Sequence, residues 1–216
     1  RDPFGLRRAA LGVLRILVER ELPLSLHELV NEAFAGYQGR IRDAHVDLQT
    51  FIYERFAGYL RDRGYTSQEV EAVLIKAPVR VDLVPRQLEA VRAFSTLPEA
   101  ESLAAANKRV ANILKQAEAK GESFADAEAS RLQEPAERTL FDALRNTARE
   151  AHALFDRGDY TGYLKSFAVL KAPVDSFFDT VMVMVDDDRL RRNRLALLRD
   201  LRHAMNRVAD ISKLAT

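Results

Sequence analysis

The sequence predicts an all-α fold, a bundle of about eight to ten helices. Apolar residues recur every three or four positions through most of the chain, which is the spacing of one helical face. The 9 glycines and 7 prolines fall almost entirely between these segments, and no segment requires a sheet. With 47% apolar and 30% charged residues, the chain of 216 residues has the composition of a globular protein with a substantial core.

The first two helices are delimited by capping residues. Asp2 as a cap and Pro3 at the first helical position predict the start of the first helix. Its inward stripe is predicted to comprise Leu6, Ala10, Val13, Leu14 and Leu17. Ser25 and Glu28 have the spacing of a capping box, and they predict a second helix that stops near Gly36.

Two further helices follow in this half of the chain. A long helix is predicted from about residue 45 to residue 63, with Gly64 as its stop. The residues that it turns inward are predicted to be Val46, Leu48, Phe51, Ile52, Phe56 and Leu60. Thr66 and Glu69 then predict a short helix that ends before Pro78.

Longer helices are predicted in the second half. Their approximate ranges are 84–94, 98–120, 134–157, 160–170, 173–182 and 189–211. Asp188 is predicted to cap the last of them. Residues 121–130 are polar and weakly periodic, so they predict a loop or a mobile segment, and the best candidate for a seam between subdomains.

Composition excludes several kinds of protein and site. The absence of cysteine excludes disulfides and thiolate metal sites. No apolar run approaches the roughly 20 residues of a membrane span, so we expect no membrane partner and a cytoplasmic location. The chain begins Arg1-Asp2-Pro3 without an initiator methionine, and we therefore expect a domain excised from a longer polypeptide.

Motifs of enzymatic chemistry are absent as well. The histidines at 27, 45, 152 and 203 form no metal-binding pattern, and no nucleophile elbow or glycine-rich phosphate loop occurs. The acidic residues 186–188 could suggest a Mg²⁺ or Ca²⁺ loop, but the glycine and glutamate of an EF-hand are missing. Capping of the following helix explains them better. We predict no catalytic residue, no metal and no cofactor in this chain.

Two helices carry basic residues that could contact a nucleic acid. Because the net charge is only +1, such binding would need a local basic patch. The 98–120 helix presents a lysine, an asparagine and a lysine at i, i+4 and i+7, and the terminal helix is rich in arginine. A solvated helical face is the alternative for both. The predicted RNA-binding residues are Lys108, Arg109, Asn112, Lys115, Arg191, Arg192, Arg194 and Arg199.

Arg194 is the unusual member of this set. It falls on the apolar stripe of the terminal helix, one turn after Leu190, where an unpaired charge is costly. An ion pair with Asp179 or Asp187 would explain its position. Presentation of its guanidinium to a phosphate or a base edge would explain it too.

Aromatic residues of the first half are further candidates for RNA contact. Tyr37, Tyr53 and Tyr59 are possible platforms on which unpaired bases stack. Phe51 and Phe56 are predicted to lie in the core instead.

Three stretches of the sequence resemble the carboxy-terminal part of the β subunit of bacterial glycyl-tRNA synthetase. They are residues 2–12, 106–114 and 177–214, and the last includes Val181-Met182-Val183-Met184-Val185 and Asn193-Arg194-Leu195. The resemblance implies a helical anticodon-binding domain over residues 1–216, related to that of arginyl-tRNA synthetase. It also implies two partners, the anticodon stem-loop of glycine tRNA and the synthetase α subunit, with ATP and Mg²⁺ held only by the α subunit.

The resemblance therefore implies a non-catalytic part of a glycine-tRNA ligase, which positions the tRNA. Glycine anticodons have cytosine at their second and third positions, so a reader needs donors for cytosine O2 and N3 and an acceptor for its amino group. A helical scaffold domain without RNA remains the alternative, because amphipathic helices and a near-neutral charge permit it. A salt-sensitive affinity for RNA would separate the two.

Overall fold

The computed structural model describes residues 4–37, 39–123 and 125–215. Its secondary structure is helical, and no strand occurs within these ranges, so the all-α prediction is confirmed. The chain divides into two compact units, residues 1–89 and 90–216. Among the described helices, none is long and apolar enough to cross a membrane.

The first unit contains the helices α1 to α4 and the start of α5. Their bounds are α1 (Leu6–Glu19), α2 (Leu26–Ala35), α3 (His45–Asp62), α4 (Ser67–Leu74) and α5 (Val84–Ser95), with a 3-10 turn at Val81–Leu83. Helix α3 packs against α1, α2 and α4. Capping follows the sequence: the Ser25 side chain accepts from the amide of Glu28, and Thr66 with Glu69 forms a reciprocal capping box.

Some predicted core residues of this unit are exposed. The buried stripe of α1 consists of Ala10, Leu14, Leu17 and Val18. Leu6 and Val13 lie beside this stripe but are exposed, as is Val46 in the first turn of α3. The prediction of these three as core residues is wrong, because apolar spacing identifies a face but not which part of it a neighbour covers. Asp2 and Pro3 lie outside the described residues.

The second unit contains the rest of α5 and the helices α6 to α10. Their bounds are α6 (Ala100–Ala119), α7 (Pro135–Asp156), α8 (Tyr160–Ser166), α9 (Lys171–Thr180) and α10 (Asp188–Met205), with 3-10 turns at Ala129–Arg131, Phe167–Leu170 and Ile211–Leu214. Helix α10 contacts both α6 and α7. Its residues 193–198 are all buried, so this helix lies in the interior of the unit.

The ends of α10 differ from the prediction. Asp187, not Asp188, is the N-cap, and its side chain accepts from the amides of Arg189 and Leu190. The helix ends at Met205 rather than near residue 211. Asn206 terminates it, because its side chain donates to the Arg202 carbonyl and accepts from the amide of residue 211, where the chain turns back.

The described residues of the 121–130 range contact α10 at several positions within the second unit. The backbone of Glu128 forms two hydrogen bonds with the Asn193 side chain, of 2.7 and 3.1 Å. Glu122 pairs with Arg191 at 2.8 Å. The division between the two units lies inside α5. That residues 121–130 move or form a seam stays a prediction.

Candidate nucleic-acid interface

The exposed face of α6 carries the first group of predicted contacts. Lys108, Asn112 and Lys115 are all exposed, and their spacing places them on one side of the helix. Neither lysine pairs with a carboxylate among the residues that the structure describes. This face therefore presents two cations and an amide that are free to bind a ligand.

A cleft of roughly 470 Å³ lies on the flank of this face. Its walls come from α6, from the end of α9 and from the segment that follows α9. The lining residues are Arg109, Ile113, Phe178, Asp179, Thr180, Val181, Met182, Val183 and Met184. The Arg109 guanidinium lies 4.2 Å from the centre of the Phe178 ring, a cation–π contact that holds it at the cleft wall.

The segment 181–184 shapes one wall of the cleft by alternation. Val181 and Val183 are buried, whereas Met182 is 71% exposed and Met184 is 43% exposed. All four residues line the cleft, and the methionines contribute its exposed side chains while the buried valines anchor the segment. Methionine is flexible and polarizable, which suits it to contact with a flat aromatic ring.

Two arginines of α10 hold this segment from inside. Arg194 is 4% exposed, and its Nη1 donates to the carbonyl of Met182 at 2.7 Å. Nη1 of Arg191 donates to the carbonyl of Val185 at the same distance, and the Arg191 side chain also pairs with Asp188. Both arginines therefore support the cleft wall rather than project from it.

The counter-charge of Arg194 is Glu137 in α7. Nε of Arg194 lies 2.7 Å from Oε1 of this fully buried carboxylate, so the predicted pairing with Asp179 or Asp187 is wrong. Burial raises the pKa of Glu137, but hydrogen bonds from Arg194 and from the amides of Glu134 and Gln133 outweigh it and leave the pKa below its ordinary value. The missed partner lies 57 residues away in sequence, and no local pattern indicates it.

The other two predicted arginines of α10 are also engaged. Arg199 is paired with Asp126 and Asp200, at 2.8 and 2.7 Å. The side chain of Arg192 is 53% exposed, with its Nε 3.4 Å from Glu122. Of the α10 arginines in the predicted set, Arg192 is thus the most accessible.

The acidic run 186–188 acts locally. Asp187 caps α10, and Asp188 pairs with Arg191 one turn later. No group of three or more His, Asp or Glu residues in the described part of the chain is arranged to hold a metal ion.

The three tyrosines belong to the first unit and differ in exposure. The ring of Tyr59 is buried, and its hydroxyl donates to Glu19 at 3.3 Å. The Tyr53 hydroxyl donates to the carbonyl of Pro78 at 2.9 Å, and burial raises its pKa. Tyr37 is 54% exposed. Of the three rings, only that of Tyr37 is exposed enough for a base to stack on it.

No role in binding was predicted for four of the residues that line the cleft. They are Phe178, Asp179, Met182 and Met184. A signal for two of them exists in the sequence: valine and methionine alternate over residues 181–185 just after a helix, which indicates an extended segment with one outward face. The position of Phe178 beside Arg109 depends on how α9 packs against α6.

Two models of protein families match the chain. The model described as "Glycyl-tRNA synthetase beta subunit" matches residues 1–75. The model described as "DALR anticodon binding domain" matches residues 103–213, which lie in the second unit and include most of α6 and the whole cleft lining.

Curated relatives are similar over the whole length of this chain. A protein of Thiobacillus denitrificans named glycine–tRNA ligase beta subunit is 58% identical over 216 residues. Proteins of the same name are 56% identical in Acidovorax ebreus and 49% identical in Ralstonia nicotianae. The chain spans 29 to 31% of the length of these relatives.

Proposed function

The chain belongs to the family of DALR anticodon-binding domains, and from that membership we propose that its second unit binds the anticodon stem-loop of a glycine tRNA. The resemblance inferred from sequence is confirmed, since the relatives carry the name of the glycine–tRNA ligase β subunit. That the anticodon-binding domain extends over residues 1–216 stays a prediction. The observation that carries the proposal is the basic face of α6, whose lysines pair with no described carboxylate, beside a cleft lined by apolar side chains together with Arg109 and Asp179.

Each part of this interface suits one part of an RNA loop. Lys108 and Lys115 hold backbone phosphates, which fix the position of the RNA without reading its sequence. A cytosine enters the cleft and stacks on the exposed methionines with its edge toward Arg109, because unpaired bases are gripped by stacking and by hydrogen bonds to their edges. Arg109 donates to cytosine O2 and N3, and the Asp179 carboxylate accepts from the cytosine amino group.

The contribution of this chain to catalysis is positional. We propose that it is part of the β subunit of a cytoplasmic glycine–tRNA ligase, whose α subunit uses ATP and Mg²⁺ to attach glycine to the tRNA. Binding energy gained at the anticodon orients the distant acceptor end in that active site. The lack of catalytic motifs in this chain and the names of its relatives support this division of labour.

The test is binding of the chain to an anticodon hairpin of glycine tRNA at several salt concentrations. In the double variant Lys108→Gln and Lys115→Gln, two phosphate contacts are lost. We expect the slope of log K against log salt to become shallower by about 1.4 to 1.8, while the preference for cytosine is retained. The control is Lys76→Gln with Lys165→Gln, which removes two exposed lysines outside the proposed interface.

Asp179→Ala tests the reading of the base. Loss of one good base contact should reduce the preference for the cytosine loop over a loop with both cytosines replaced by about 5- to 140-fold, corresponding to about 1–3 kcal/mol. A chain that binds neither hairpin contradicts the anticodon proposal and favours a scaffold without RNA. A chain that binds both hairpins equally at all salt concentrations contradicts the reading of the cytosines and leaves only binding to the RNA backbone.

A further inference from the structure

The loop between α2 and α3, residues 36–44, carries a second group of exposed side chains of the kinds that contact RNA. It lies in the first unit, outside the residues that match the anticodon-binding family. Tyr37 is 54% exposed, and Arg40 and Arg42 are exposed beside it. Ile41 between the arginines is 42% exposed.

A tight turn brings the aromatic ring and the first arginine together. The amide of Arg40 donates to the carbonyl of Tyr37 at 2.9 Å. Gly39 has a φ of +73°, a left-handed conformation that glycine adopts without strain. Residues at the two ends of such a turn have Cα atoms less than about 7 Å apart, so Tyr37 and Arg40 can contact the same ligand.

The ends of the loop are fixed by one aromatic contact and one acidic side chain. Phe34 in the last turn of α2 stacks on His45 at the start of α3, with ring centres 3.9 Å apart. Asp43 accepts from both the amide and the ring Nδ1 of His45, at 3.0 and 2.6 Å. The hydrogen bond from this amide is the main cause that lowers the pKa of Asp43. The loop is therefore anchored on both sides, with its tip left open.

The charges of the tip are uncompensated. Asp43 carries the one carboxylate in the sequence of residues 36–44, and this carboxylate contacts the ring of His45. Neither Arg40 nor Arg42 forms an ion pair with another described residue. An exposed aromatic ring in the same loop as two planar guanidinium groups matches a nucleotide, since the base can stack while the phosphates accept bidentate hydrogen bonds.

We propose that this loop binds unpaired nucleotides of the same tRNA, outside the anticodon. A base stacks on Tyr37, and Arg40 and Arg42 hold the adjacent phosphates. The inference rests on the proposed function, because the ligand is the tRNA that the second unit binds. It adds a second contact that the anticodon-binding family match does not contain.

The test uses the full chain and an intact glycine-tRNA transcript. Arg40→Gln with Arg42→Gln should weaken binding about tenfold for each lost phosphate contact at 50 mM salt, and should reduce the salt slope by about 1.4 to 1.8. Tyr37→Ala should raise Kd about 5- to 140-fold, whereas Tyr37→Phe should bind as the wild type does, because it keeps the ring. Ultraviolet cross-linking should join the RNA to the peptide that contains Tyr37.

The matched control is Arg20→Gln with Arg61→Gln, which removes two exposed arginines from the same unit and should leave Kd unchanged within twofold. All variants alter exposed side chains, and melting curves verify that they fold. Loop variants that bind like the wild type, while the Lys108 and Lys115 variant loses binding, would overturn the loop inference and leave the anticodon proposal standing. A wild-type chain that binds no tRNA would overturn both.

Discussion

At the scale of single residues, burial separates the basic side chains that support the fold from those that can meet a ligand. Arg194 has its guanidinium shared between the buried Glu137 carboxylate and the Met182 carbonyl at the cleft wall. Lys108 and Lys115 have no such partner among the described residues. Arginine dominates the first group because a planar fork can satisfy several acceptors at once.

Replacing Arg194 by Met should be strongly destabilising. It leaves Glu137 as a buried, uncompensated carboxylate, and breaking a buried pair in this way costs about 3–5 kcal/mol of unfolding free energy. Urea unfolding at pH 7 measures this difference. Arg189→Met, at an exposed arginine of the same helix, should change the free energy by less than about 0.5 kcal/mol.

The pH dependence of this pair follows from the lowered pKa of Glu137. A carboxyl whose folded pKa lies below its unfolded value contributes stability that is present above the unfolded pKa, about 4.3, and is lost as the pH falls through the folded pKa. The difference in unfolding free energy between the wild type and Arg194→Met should therefore shrink as the pH falls from 7 toward the lowered folded pKa of Glu137. A difference that stays constant from pH 7 to pH 3 would show that the charge of Glu137 is not its source.

At the scale of elements, the segment between α9 and α10 gains its shape from its two neighbours. Val181 and Val183 are buried, and the carbonyls of Met182 and Val185 accept from Arg194 and Arg191 of α10. Helix α10 must therefore begin at a defined residue, because a shift of its start would move both arginines. Asp187 sets that start by capping the helix.

Removal of the cap tests this assignment. Asp187→Ala should cost about 1 kcal/mol of unfolding free energy, because the amides of Arg189 and Leu190 lose their acceptor. Asp188→Ala removes only a partner of Arg191 at a largely exposed carboxylate, which is worth less than about 1 kcal/mol. If Asp188→Ala lowered the unfolding free energy more than Asp187→Ala, Asp188 would be the capping residue, as the sequence predicted.

At the scale of the whole molecule, the chain divides into two compact units. The division falls inside α5, and the residues that match the anticodon-binding family begin beyond it, at 103. Each unit has its own buried core: Leu14, Phe56 and Val73 in the first, Leu140, Phe177 and Leu197 in the second. Such a division favours folding of the second unit without the first.

A fragment of residues 81–216 tests this independence. It keeps α5 whole, and we expect a helical spectrum, one cooperative unfolding transition and the hairpin affinity of the full chain. Because it lacks the α2–α3 loop, its affinity for intact tRNA should fall to that of the loop variants. Residues 96–216, from which α5 is removed, form the comparison. Equal stability of the two fragments would show that α5 adds nothing to the second unit.

The accuracy of the sequence prediction differed between the helices and the site. Helices were predicted well where capping residues and periodicity act over a few positions, as at Thr66 with Glu69 or at Gly64. The prediction that Leu6 and Val13 lie in the core was wrong, because their exposure depends on neighbours distant in sequence. The α6 residues and Tyr37 were predicted from residue type and spacing, and the structure shows them exposed, but their contact with RNA stays a prediction. Arg40, Arg42 and Asp179 were not among the predicted binding residues.

The sequence by itself determined the all-α class, most helix positions and the family, because capping, helical periodicity and segment similarity are local properties. The tertiary structure alone decided which charges are buried and which remain free. Arg194 and Lys108 look equally basic in the sequence. Arg194 forms a buried ion pair with Glu137, whereas no described carboxylate pairs with Lys108. The physical reason is that burial and pairing of a charge depend on residues brought together from distant parts of the chain.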